Sequence, residues 1–172
     1  MLPKLLSTIV IAMMLSTTVQ AQGKPTTALE LSNSYSSATD TLYMKGTQWG
    51  EALTTAAKAG DYTVLKPVRM GMQQFIERKT KEIAASPTIG GSEQFKAVML
   101  RFMAYEKDMI TTTFIPFEKL TASSTKEDFS VLIDKTTANS KGEDVLIKEI
   151  GEVQKAYAKK NDFTIEEPAA PK

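Results

Sequence analysis

Four polar residues of this sequence could form a chemically active cluster inside a helical protein. They are Lys45, Glu106, Asn139 and Glu143, and each interrupts or flanks an apolar stripe near the middle of a long segment. A lysine and two carboxylates that meet in an interior form a network, because charges removed from water need partners. Such groups sometimes mark a site. The alternative is a solvated flank or a polar layer that only sets the packing register.

The residue types that most protein chemistry uses are missing from this chain, which has no histidine and no cysteine. This excludes haem sites that use these ligands, the Glu-x-x-His di-iron site and ordinary zinc sites. It also excludes Ser-His-Asp and Cys-His nucleophiles. The glycine-rich phosphate loops GxxxxGK[ST] and GxGxxG are absent. Two carboxylates could hold a hard cation, but the oxygen ligands are few for calcium. We therefore expect no cofactor, no metal site and no enzyme.

The methionines and two aromatic residues each allow a second interpretation. Six methionines follow residue 21, namely Met44, Met70, Met72, Met99, Met103 and Met109. Thioethers suit Cu(I), but methionine on an apolar stripe is usually a filler of the core. Trp49 and Tyr157 could line a ligand pocket between helices, whereas large aromatics on a stripe are more often core residues.

Four segments carry apolar residues at alternating spacings of three and four, which predicts amphipathic helices. They run from about 26 to 58, 62 to 85, 92 to 120 and 126 to 161. In the third, the stripe that ends at Met109 starts again one residue later at Ile110. Pro116 follows, and we expect the helix to bend there. Gly142 weakens the fourth helix by ~1 kcal/mol of propensity.

Short turns at Gly60, at SPTIGG and at TASSTKED separate these segments. Such turns place sequential helices antiparallel. The sequence therefore predicts an all-α protein, an up-down-up-down four-helix bundle over residues 22–163. Helical hairpins stacked in another order are the alternative. Residues 164–172 hold two prolines and little to bury, and we expect a disordered tail.

The amino terminus has the pattern of an export signal. Lys4 precedes an uncharged run from Leu5 to Leu15. A helix of that length spans only ~17 Å, against ~30 Å of membrane hydrocarbon. Val19 and Ala21 are small residues before a cleavage point, so we expect removal of residues 1–21. An uncleaved membrane anchor is the alternative.

Cleavage would leave a chain without net charge, because Lys4 is the only charged residue in that segment and the whole chain carries +1. Such a balance gives no reason to expect nucleic acid as a partner. After cleavage no span across the membrane is expected. The predicted location is the periplasm or the outside of the cell.

Four stretches carry a resemblance to a known family. They are YMKGTQWGEAL, FIERKTKEI, FKAVMLRFMAYEKDMI and VQKAYAKKNDFTIEE, which together span most of the chain after residue 21. The chain resembles a family of uncharacterised bacterial exported or surface proteins known from Leptospira and Bacteroidetes. The resemblance implies export and a helical fold, and it implies no activity and no catalytic residues. Some members are lipoproteins, and this chain lacks their lipid-accepting cysteine.

Two functions remain after these exclusions. The first is a non-enzymatic module of the bacterial envelope that binds another envelope protein or a second copy of itself. The second is a carrier that holds a small ligand or hydrophobic molecule between its helices.

Overall fold

The computed structural model describes residues 24–165, and all regular structure in that range is helical. It has four main helices: α1 (Ala28–Ala59), α2 (Leu65–Ala85), α3 (Glu93–Met109) and α4 (Lys126–Lys160). After α3 the chain continues through a π-helical segment, Ile110–Phe114, and a last helical turn, Ile115–Phe117. The observed helices begin and end within about one turn of the predicted segments.

Local sequence explains where the two longest helices begin and where α1 ends. The Thr27 hydroxyl accepts a hydrogen bond from the Glu30 amide, and the Glu30 carboxylate accepts one from the Thr27 amide. Thr125 and Asp128 form the same reciprocal capping box at the start of α4. Gly60 ends α1 with φ of 70°, a left-handed conformation that glycine adopts without steric cost.

The π-helical segment lies where the apolar stripe of the sequence shifts by one residue. The Ile115 amide donates to the Ile110 carbonyl five residues earlier, so the turn is wider than in an α-helix. Pro116 follows at once, and its ring would collide with the carbonyl of Thr112 in a regular helix. The third helix therefore carries an inserted residue just before Pro116, and the bend expected there stays a prediction.

The helices pack as a four-helix bundle, and the predicted all-α fold is confirmed. α2 packs between α1 and α3, and α3 packs between α2 and α4. The interface between α1 and α4 is the smallest of the four between neighbouring helices. No strand occurs in residues 24–165. Aromatic pairs link the layers: Tyr35 meets Phe95 edge-on, and Trp49 stacks on Phe114 with ring centroids 4.1 Å apart.

Burial along α4 is uneven. Its buried residues are Ile150, Val153, Tyr157 and Ala158, all in the last third. From Lys126 to Glu149 no residue is buried, although Leu146 and other apolar residues there pack partly against the core. The helix is unbroken at Gly142, so the weak propensity of that residue does not interrupt it.

Some predictions concern residues outside the described range. The predicted signal peptide, residues 1–21, lies outside it, and so do residues 166–172 of the predicted tail. Thr164 and Ile165, the first residues of that tail, have no regular structure. No helix within residues 24–165 is long and apolar enough to cross a membrane.

The burial pattern predicts unequal effects of truncating two apolar residues. Phe102 is 1% exposed, and Phe102→Ala is expected to lower the free energy of unfolding by ~3–5 kcal/mol. Leu146 is only half-buried in the loosely packed part of α4, so Leu146→Ala is expected to lower it by much less. Urea denaturation measures both. Equal losses would show that α4 is as firmly packed as α3.

Candidate functional site

The structure brings three of the four predicted polar residues to one interface, between α3 and α4. Glu106 lies on α3, and Asn139 and Glu143 lie one turn apart on α4. Lys45 of α1 lies elsewhere, because its ammonium group sits 5.9 Å from the ring centroid of Phe75 on α2. No ion pair within the described residues joins Lys45 to a carboxylate. The cluster at the α3–α4 interface is thus acidic and lacks a bridging lysine.

A chain of hydrogen bonds fixes the two helices at this level. The Tyr105 hydroxyl donates to the backbone carbonyl of Asn139. The Asn139 side-chain amide donates to the Thr113 hydroxyl at 2.7 Å, and Thr113 belongs to the π-helical segment. Gly142 permits this arrangement, because a Cβ atom there would lie 2.5 Å from the Tyr105 oxygen. A larger residue at position 142 would push the tyrosine from its acceptor.

Glu106 is the most unusual group of the interface. It is 7% exposed, and its Oε1 atom has no hydrogen-bond partner among the described residues. Burial, and then the neighbouring Glu143 carboxylate, raise the pKa of Glu106 to about 8. The pKa of Glu143 is also raised, first by burial and then by Asp144. Two carboxyl groups at one desolvated interface favour a state in which at least one carries a proton.

This pair can hold and release a proton, and its chemistry is limited beyond that. No group of three or more acidic residues able to hold a metal ion occurs within residues 24–165. Tyr105 presents its hydroxyl to a carbonyl, and Asn139 presents its amide to Thr113. The arrangement is therefore suited to structural coupling of α3 and α4 that depends on protonation.

The other sequence candidates lie mainly in the core. Met72, Met99, Met103 and Met109 are buried there, whereas Met44 and Met70 are 62% and 41% exposed. Trp49 and Tyr157 are also buried core residues. The Tyr157 hydroxyl donates to the Ile89 carbonyl at 2.8 Å, while the Trp49 Nε1 atom has no partner in the described part of the chain.

Three residues of the α3–α4 interface were not predicted from the sequence to belong to a site. The predicted polar layer does not include Tyr105 or Thr113, and Gly142 was considered only as a weak point of a helix. A further polar contact, between Arg69 of α2 and Glu118, ties α2 to the end of the third helix through bonds of 2.7 and 3.1 Å. Glycine opposite tyrosine in two neighbouring helices is a usable signal once the helix register is known.

A surface cleft lies between the start of α1 and the end of α2. Its volume is about 370 Å³, and Tyr35, Ile83 and Ser86 are among its lining residues. Lysines 24, 79 and 81 also border it. The Tyr35 and Ser86 hydroxyls are hydrogen bonded to each other at 2.7 Å.

Glu106 makes the stability of the fold depend on pH. Its folded pKa of about 8 lies above the ordinary 4.5. Between these values the folded state keeps a proton that the unfolded state has released. The free energy of unfolding therefore falls as pH rises through this window, by at most ~1.4 kcal/mol per pH unit for one proton. The contribution of Glu106 to stability is fully present below the unfolded value and lost above the folded one.

We expect Glu106→Gln, which imitates the protonated acid, to reduce this pH dependence. Urea denaturation at about pH 5.5, 7 and 8.5 measures the free energy of unfolding of each variant. Asp40→Asn is the matched control, because burial alone raises the pKa of Asp40. That variant should keep the part of the slope that belongs to Glu106. A slope in Glu106→Gln equal to that of the unaltered protein would contradict the assignment.

Gly142→Ala is expected to destabilise the fold by ~1–2 kcal/mol, because the displaced Tyr105 hydroxyl loses its acceptor. The effect should shrink when Tyr105→Phe is also present, so the two changes should not be additive. Gly46→Ala is the control, since no heavy atom lies within 4 Å of a Cβ there. It should stabilise α1 by up to ~1 kcal/mol. Equal gains at both glycines in thermal unfolding would refute the tyrosine contact.

Comparison of the chain with protein-family models, with curated proteins and with solved structures gives no match. The resemblance to exported proteins of Leptospira and Bacteroidetes therefore stays a prediction from the sequence.

Proposed function

We propose that this protein is a non-enzymatic, exported helical module that binds another protein of the bacterial envelope. Its binding surface is the groove between α1 and the first two-thirds of α4. The partner presents an amphipathic helical segment to this groove. The observation that carries the proposal is the open space beside two glycines on the side of α1 that faces α4.

Hydrogen bonds identify that side of α1. Gln154 of α4 donates to the hydroxyls of Ser32 and Ser36 at 3.0 and 2.8 Å. Gly46 and Gly50 follow on the same side of α1 by helical spacing. A Cβ atom at either glycine would meet no heavy atom within 4 Å. The two helices touch near Gln154, and the sides of α1 and α4 beyond that contact form the proposed groove.

The side of α4 that faces this groove is partly apolar. Ile133, Ser140 and Ile147 precede Gln154 at intervals of seven residues, so they share its side of the helix. All three are only half-buried. Tyr43 stands at the edge of the groove on α1 and is 55% exposed. The groove therefore offers two apolar side chains, an exposed aromatic residue and a glycine-lined wall.

A helix fits such a groove for two physical reasons. Glycines let the backbone of a second helix come close, which increases van der Waals contact. An amphipathic helix places residues at intervals of three and four along a groove of this kind. Exposed tyrosine is also favoured at protein interfaces, because it combines a large apolar surface with a hydrogen-bonding group.

The exported location in this proposal is supported by the amino-acid sequence. The charged start, the short apolar run and the small residues before Gln22 support a secreted or periplasmic location. The absence of histidine and cysteine from the chain supports a role without catalysis.

A carrier of a small ligand is the second candidate, and the cleft between α1 and α2 favours it. Its volume of about 370 Å³ falls within the ~300–1,000 Å³ common for ligand sites. Native mass spectrometry of the purified protein distinguishes the two functions. A carrier retains a small molecule of defined mass, whereas an interaction module does not.

Photocrosslinking in a Gram-negative cell tests the groove. With benzoylphenylalanine in place of Tyr43, we expect a crosslinked product in the periplasmic fraction that contains a second, different protein. Gly46→Leu combined with Gly50→Leu should abolish it, because leucines fill the groove. Circular dichroism should show an unchanged fold, since both positions face open space.

The control places the same probe at Glu77, an exposed residue of α2. The probe at Glu77 should not give the product found with the probe at position 43. A product made of two copies of this chain would replace the envelope partner with self-association. Absence of any product at position 43, or a product that both leucines leave intact, would contradict the groove.

A further inference from the structure

The α3–α4 interface combines a repulsive pair with a weakly packed helix. Glu106 of α3 and Glu143 of α4 face one another across it, and the neighbouring Tyr105 to Asn139 bond fixes their register. Glu106 is 7% exposed, and its Oε1 atom has no partner among the described residues. Two charged carboxylates in such a place repel each other and lose hydration at the same time.

The charged groups around the pair do not neutralise it. On α4, Asp144 adds a second negative charge that raises the pKa of Glu143. On α3, Asp108 lies close enough to raise the pKa of Tyr105. The pKa of Glu106 is raised by burial and by Glu143. No charged group of α1 or α2 is among the causes of this shift.

Three basic residues of α1, α2 and α3 have other contacts. Lys45 of α1 lies over the ring of Phe75. Arg69 of α2 pairs with Glu118. Arg101 of α3 pairs with Glu149, at the end of the loosely packed part of α4. When both Glu106 and Glu143 are charged, none of these pairs offsets their repulsion.

The part of α4 that carries Glu143 is less buried than the last third of the helix. No residue from Lys126 to Glu149 is buried, whereas Ile150, Val153 and Tyr157 are. Segments with few buried apolar contacts open at lower free energy than the rest of a protein. Gly151 lies at the junction of the two parts.

We propose that Glu106 and Glu143 form a pH-operated latch that releases the segment 126–149 of α4 from α3. While at most one of the two is charged, the segment stays packed and the Tyr105 bond holds it. When both are charged, the lost hydration of Glu106 and the repulsion between the two carboxylates together exceed the contacts of the segment, and it moves away from α3. The last third of α4 stays in the core. This device needs no partner, so the inference does not rest on the proposed binding function.

Distance measurement between two nitroxide labels tests the latch in the purified protein. The chain has no cysteine, so engineered cysteines are the only labelling sites. Val131→Cys on α4 and Ala104→Cys on α3 report on the segment, and both positions are exposed. From about pH 6 to about pH 9, which brackets the pKa of Glu106, we expect the distance distribution to broaden and move to longer distances.

Two controls separate local release from unfolding. Labels at Ala97→Cys and Ala156→Cys, both exposed, join α3 to the last third of α4 and should keep their distance at both pH values. Glu106→Gln should abolish the change in the first pair, because it removes the buried charge. Glu143→Gln should reduce it, because it removes the neighbouring carboxylate while Glu106 stays buried. Glu106→Gln should keep at both pH values the distance that the unaltered pair shows at about pH 6.

Three results would overturn the latch. The first is an unchanged distance between positions 104 and 131 across this pH range. The second is the same change in Glu106→Gln as in the protein with both carboxyl groups. The third is a parallel change in the control pair, which would show general unfolding. None of these results bears on the proposed groove between α1 and α4, which the crosslinking experiment tests.

Discussion

The π-helical segment at Ile110–Phe114 is the constraint on which both the core and the polar interface depend. One inserted residue rotates the rest of the helix by ~100° about its axis. Thr113 and Phe114 of this segment are both buried. Phe114 stacks on Trp49, and Thr113 accepts the hydrogen bond from Asn139. A regular α-helix through these residues would rotate both side chains by that angle, away from the aromatic contact of α1 and the polar contact of α4.

The interface between α3 and α4 contains both stabilising and destabilising groups. The bond from Tyr105 and the bond from Asn139 fix the register of the two helices. The buried carboxyl of Glu106 opposes the same contact, because it gives up hydration without gaining a hydrogen bond at Oε1. Fully buried layers at Phe102 and Met103 on the same helix supply the apolar stabilisation that makes this tolerable.

The sequence predicted the helices and a polar layer for one physical reason. Apolar spacing defines which side of each helix faces inward, and chain midpoints define height, so Lys45, Glu106, Asn139 and Glu143 were expected at one level. Height and inward side do not define which neighbour a flanking residue meets. The neighbour depends on the handedness of the bundle, and short connecting loops are compatible with either hand. In the structure Lys45 lies over the ring of Phe75 of α2. Neither this contact nor the open space beside Gly46 could be predicted from the sequence.

The first two-thirds of α4 belong to both proposed devices. One side carries Ile133 and Ile147 toward the groove, and the adjoining side carries Asn139 and Glu143 toward α3. A movement that separates Glu143 from Glu106 therefore also displaces a wall of the groove. Linkage requires the effect to be reciprocal. A helix bound in the groove that needs this wall in place stabilises the protonated carboxyl pair, and deprotonation of the pair weakens its binding by the same factor.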